Sequence, residues 1–185
     1  MHIGYVIFEG ITWLDFIGIY DPLSRLQSMK FIPGLTWDIC GYNPINRDNF
    51  GLEIKPTLIK NPLKDYDAII VPGGHGTRHL QHDREFILWL QTASDKATKI
   101  SICTGSLLLG AAGFLKGKKA TTNYNEYDSL KPYCTEVVQD RIVEDGNVIT
   151  AGAVSASVDL GLFLCEKWAG QAAAVEIRKK MDYHG

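Results

Sequence analysis

The chain has 185 residues, of which 45% are apolar and 22% charged, with a formal net charge of -2. That length suits one domain spanning residues 1–185, and so small a charge gives no reason to expect nucleic acid or an acidic membrane as a partner. No apolar run reaches the roughly 18 residues needed to cross a bilayer, and the N-terminal MHIGYVIFEG lacks the basic region and cleavage site of a signal peptide. A cytoplasmic location is expected.

His2 to Phe8 reads as a buried strand. Thr12 to about Ser28 has helical apolar spacing, with a kink or break expected at Pro22. Thr36 to Tyr42 reads as a second strand. Gly41 to Gly51 reads as a loop, and Leu52 to Ile59 as a stretch with room for one short strand. Asp67 to Val71, DAIIV, is an apolar strand that stops at Pro72-Gly73-Gly74. Asp83 to Ala97 is predicted as an amphipathic helix opened by an acid.

Lys99 to Ile102 is a short strand running straight into Cys103-Thr104-Gly105-Ser106 and then LLLGAAGFL, a helix apolar on every side. A further strand is predicted near Lys119 to Thr122. Asp145-Gly146 marks a hairpin turn within Gln139 to Ala151. Ser155 to Trp168 and Gln171 to Tyr183 close the chain as helices. Strands alternating with helices, several of them continuous apolar runs, predict an α/β domain with a mostly parallel sheet covered on both faces.

Strand, cysteine, small residues, helix is the order of a nucleophile elbow, which presents the side chain above the carboxyl ends of the strands. The dipole of the following helix favours thiolate at Cys103. The plainer alternative is a buried thiol acting as a small hydrophobe. Cys40 and Cys165 read as core, and nothing near Cys134 would activate it. The four cysteines have no C-x-x-C pair, so neither zinc nor a disulfide is expected. The backbone N–H of Thr104 is a candidate oxyanion donor, and Gly73 and Gly74 would let the backbone approach a ligand closely. Asp15, between Leu14 and Phe16, is a costly carboxylate unless exposed, paired or protonated. It reads equally well as the capping-box partner of Thr12, and spacing does not choose among Asp15, Asp21 and Glu9 as the acid.

Asp15 after the first strand, AIIVPGG, and SICTGSLLLGAAGFLKGKKATT together resemble the ThiJ/PfpI superfamily, whose fold is flavodoxin-like, that of class I glutamine amidotransferases. Within it the chain is most similar to the isonitrile hydratase branch. The resemblance runs to about Trp168. It implies Cys103 as nucleophile, Asp15 as the acid beside the sulfur, backbone donors at Gly74 and Thr104, and a site role for the Thr104 hydroxyl. It also implies a homodimer acting on a small molecule without a cofactor. Many members carry a histidine beside the cysteine where this chain has Asn123, which cannot act as a general base. A Cys-His protease or amidase is therefore disfavoured, and His75, His79 and His82 are expected on a surface loop. The chain stops at Gly185 without a helix-turn-helix, which argues against a transcription regulator. The activity implied is hydration of isonitriles to N-formamides. The alternatives are a glyoxalase or deglycase acting on reactive carbonyls, and a non-enzymatic cysteine redox sensor.

Overall fold

The computed structural model describes all residues, 1–185. The strands are β1 (His2–Ile7), β2 (Thr36–Gly41), β3 (Asn46–Arg47), β4 (Glu53–Ile54), β5 (Leu58–Ile59), β6 (Ala68–Val71), β7 (Thr98–Ile102), β8 (Lys119–Ala120), β9 (Glu136–Val137), β10 (Ile142–Asp145) and β11 (Val148–Ala151). The helices are α1 (Trp13–Ser28), α2 (Thr77–Leu80), α3 (Arg84–Leu90), α4 (Gly105–Ala111), α5 (Tyr127–Leu130), α6 (Ala156–Ala169) and α7 (Gln171–Lys180).

Seven strands form the main sheet in the order β10-β11-β7-β6-β1-β2-β5. Every pair is parallel except the β10–β11 hairpin, where Gly146 takes φ +63° at the turn. The central strands are buried on both faces, as parallel strands flanked by helices must be. This is the α/β architecture expected from the alternation of strands and helices.

Several local expectations need correction. α1 runs through Pro22 without a break. The residue across the helix interface there is Gly161, where a Cβ would stand 2.6 Å from Pro22 Cγ, so the ring fits into space left by a missing side chain. The predicted loop at 41–51 contains β3, which pairs with β4 as a separate ribbon, while β5 extends the edge of the main sheet. α3 ends at Leu90, well short of Ala97; Thr92 Oγ1 donates to Trp89 O and accepts from Leu63 N, turning the chain out of the helix. α4 stops at Ala111, just before Gly113 at φ +85°. β8 pairs with β9 outside the main sheet.

Candidate active site

β7 delivers the chain to Cys103, and α4 starts two residues later. Cys103 has φ +54°, a left-handed conformation that costs a non-glycine residue roughly 1–3 kcal/mol. Its neighbours hold it there. Its N–H donates to Ala151 O at 3.0 Å and Gly152 O at 2.8 Å, and its carbonyl accepts from Thr122 Oγ1 at 2.9 Å and Ser106 Oγ at 3.2 Å. Gly105 is required by close approach, since a Cβ there would lie 2.0 Å from Val71 O. The elbow is therefore locked between β6, β7 and the end of β11.

Asp15 sits in the first turn of α1 and is fully buried. It does not serve the helix cap: Thr12 makes no side-chain capping bond, and Asp15 Oδ2 instead accepts from Gly73 N at 2.9 Å. Oδ1 is buried without a hydrogen-bond partner. The competing acids are accounted for elsewhere, Glu9 accepting from Arg47 N and Asp21 pairing with Arg25. Burial pushes the Asp15 carboxyl from its ordinary 3.8 up to about 7, against the pull of the Gly73 N–H and of Cys103.

Burial also pushes the Cys103 thiol up, and the Asp15 charge beside it adds to the rise; the Asn123 amide and Thr104 pull the other way. The lowering expected from the helix dipole does not prevail. α4 has seven residues, and the sulfur has lost the water that would stabilise its charge, the residue being only 5% exposed. Two buried acids side by side resist ionising together, so loss of a proton from one favours its retention by the other. Burial raises Cys40 to about 11 and Cys165 to about 12, and raises half-buried Cys134 as well. All four cysteines are free.

Gly73 and Gly74 lie against this pair, but both N–H groups are engaged within the protein. Gly73 donates to Asp15, and Gly74 donates to Thr104 Oγ1 at 3.1 Å. The Thr104 hydroxyl is also 2.9 Å from Thr77 Oγ1, which donates to Gly74 O at 2.8 Å. Asn123 reaches Cys103, its Nδ2 standing 3.4 Å from Sγ while its Oδ1 accepts from Asn125 N. His75, His79 and His82 are exposed. Thr77 and Thr122 had no sequence signal strong enough to single them out, because the contacts that bring their hydroxyls to the elbow, to Thr104 and to the Cys103 carbonyl, are made across the fold. A cleft of about 240 Å³ flanks the elbow, lined by Thr122, Tyr124, Tyr127, Arg141, Gly152 and Ala153 among others. No group of three or more His, Cys, Asp or Glu is placed to hold a metal ion, and no helix is long and apolar enough to cross a membrane.

A family model for DJ-1/PfpI matches residues 7–167. The chain belongs to the DJ-1/PfpI family. Among its DJ-1/PfpI relatives, the isonitrile hydratase of Pseudomonas putida is 35% identical over 185 residues, covering 99% of this chain and 78% of that protein. Protein DJ-1alpha of Drosophila melanogaster is 29% identical over 180 residues, covering 95% and 81%. A ThiJ/PfpI family protein from Pseudomonas syringae superposes with a TM-score of 0.90 at 28% identity, over all of this chain and 75% of that one. Drosophila melanogaster DJ-1beta gives a TM-score of 0.84 at 20% identity, over all of this chain and 98% of that one, a likeness of fold.

Proposed function

We propose that this DJ-1/PfpI protein hydrates small organic isonitriles to N-formamides, with Cys103 as nucleophile and Asp15 as acid and base. The observation that carries this reading is the buried Asp15 beside an elbow cysteine, with a carboxyl that titrates near neutrality and so both gives and takes a proton. The likeness to the Pseudomonas putida isonitrile hydratase supports the choice of substrate.

The thiol proton passes to Asp15, and the sulfur forms a bond to the terminal isonitrile carbon. Asp15 then gives that proton to the same carbon, leaving a thioimidate. Ionised again, Asp15 takes a proton from water as the oxygen adds to this carbon and passes it to the nitrogen. The C–S bond breaks as Asp15, ionised once more, takes the hydroxyl proton; the sulfur leaves as thiolate, recovers its proton from Asp15, and an N-formamide departs. Water is the only co-reactant consumed. The Thr104 N–H beside the sulfur orients the bound species, and the Gly74 N–H joins it when its bond to Thr104 Oγ1 opens. Asn123, a donor without a usable base, stabilises the thiolate.

Steady-state turnover of an isonitrile and of methylglyoxal, measured side by side, tests the reading. Formamide production that is absent in Cys103→Ala is the expected result; turnover of methylglyoxal alone would transfer the site to reactive-carbonyl chemistry. The likeness to DJ-1 proteins favours that second reading, or a thiol sensor. The chain is further proposed to act as a homodimer. Leu14 and Ile17 on the outer face of α1, with Phe50 and Leu52 nearby on a loop tied to α1 by Trp13 Nε1 donating to Leu52 O, leave apolar surface uncovered beside the Asp15 helix. Four unpaired thiols suit a cytoplasmic setting.

A further inference from the structure

One guanidinium joins the two segments that flank the thiol. Arg78, in α2 just after the Gly73-Gly74 turn, donates from Nη1 to Gly74 O at 3.1 Å and from Nη2 to Glu126 Oε1 at 2.7 Å. Glu126 is mostly covered, its side chain 17% exposed, and its second oxygen accepts from Ser129 Oγ at 2.7 Å. Its own N–H donates to Asn123 O at 2.8 Å. Asn123 is thus held at both ends of its residue: the carbonyl by Glu126 N, and the side-chain Oδ1 by Asn125 N. Of the side-chain polar atoms Nδ2 remains, and it faces the sulfur at 3.4 Å.

We propose that the Arg78–Glu126 pair is a positioning clasp that sets the Asn123 amide against Cys103 and thereby tunes the acidity of the thiol. A half-exposed ion pair adds little to stability by itself. This one spans two segments 48 residues apart in the chain and anchors the turn that carries the only side-chain amide on the sulfur. Arginine suits the task because it reaches two acceptors at once and stays charged throughout the range in which a thiol titrates. The inference rests on Cys103 as the reactive group and does not depend on isonitrile as the substrate.

The test is the pH dependence of iodoacetamide alkylation, with Cys103 followed by mass spectrometry, in the wild type, Arg78→Gln, Arg78→Lys, Glu126→Gln, Asn123→Ala and the two Gln variants combined with Asn123→Ala. The plateau at high pH reports access to the sulfur, and the midpoint reports its acidity. Each clasp variant is expected to move the midpoint upward in the same direction as Asn123→Ala, lowering the alkylation rate below the midpoint by roughly three- to tenfold, as weakening a hydrogen bond to an ionised acceptor should. Neither Gln substitution should move it further once Asn123 is Ala. Arg78→Lys, which keeps the charge but not the two-armed reach, should behave like Arg78→Gln. Unchanged midpoints, a change in plateau alone, a shift that persists on top of Asn123→Ala, or restoration by Lys would overturn the proposal. Because no isonitrile enters this assay, its failure is separate from a failure of the hydratase reading.

Discussion

Asp15 holds its proton up to about pH 7 in the folded protein but releases it near 3.8 when the chain unfolds. The folded state therefore binds more protons between those values, and its stability falls as pH rises through that window. At about 1.36 kcal/mol per pH unit the cost approaches roughly 4 kcal/mol above pH 7. Asp15→Asn keeps the shape and an acceptor for the Gly73 N–H but cannot ionise. Its Tm relative to the wild type should accordingly rise from pH 5 to pH 8, whereas a carboxylate serving only as a helix cap, ionised in both states throughout that range, would leave the difference flat. Turnover should drop by about 10²–10⁴-fold in the same folded variant, the usual worth of a general acid–base; wild-type turnover would remove Asp15 from the chemistry. Cys103 was legible in the sequence because strand, cysteine and helix are contiguous there. Local sequence left Asp15 tied with Glu9 and Asp21, and only the family resemblance singled it out, because its partner Gly73 is 58 residues away.

At the level of elements, the contact that places Asp15 is the packing of α1 on α6. A Cβ on Gly18 would meet Ser157 Oγ at 2.0 Å, so the helices touch where one has no side chain. Gly18→Ala should cost about 1–3 kcal/mol by overpacking, and it should slow turnover because Asp15 lies one turn upstream. Adding Ser157→Gly should recover part of both, as chemical denaturation and activity assays on the single and double variants would show. Across the sheet, Thr104→Val would leave the buried Gly74 N–H unpaired at a cost of about 1–3 kcal/mol, read as a lower denaturation midpoint. Neither contact could be read from local sequence. Pro22 pointed to a break in α1, and only the gap at Gly161 on another helix explains why α1 continues. The buried strands built from apolar runs were legible, since burial on both faces writes itself into composition, whereas the apolar run LLLGAAGFL outlasted α4.

For the whole molecule, the proposed dimer predicts a sedimentation-equilibrium mass of twice the 20.6 kDa of one chain at micromolar concentration. Ile17→Asp, on the exposed face of α1, should reduce that mass to one chain without unfolding it; a wild-type chain that is already single would refute the dimer. The order of the strands was less legible than their existence. Apolar composition marks β6 as interior, but only three-dimensional pairing sets β11 beside β7 and detaches β8 from the main sheet.

The two bonds from Cys103 N to Ala151 O and Gly152 O carry a consequence for synthesis. A ribosome that has just made the cysteine turn has not yet made the strand that accepts its N–H, so the strained conformation lacks that part of its support during most of the remaining elongation. A nascent chain released before β11 should therefore bear an unremarkable, flexible thiol, and the reactive geometry should arise only when the C-terminal quarter of the protein folds back onto β7. Released chains truncated before Val148 and after Gly152, compared by alkylation, would show whether the geometry at Cys103 waits for that strand.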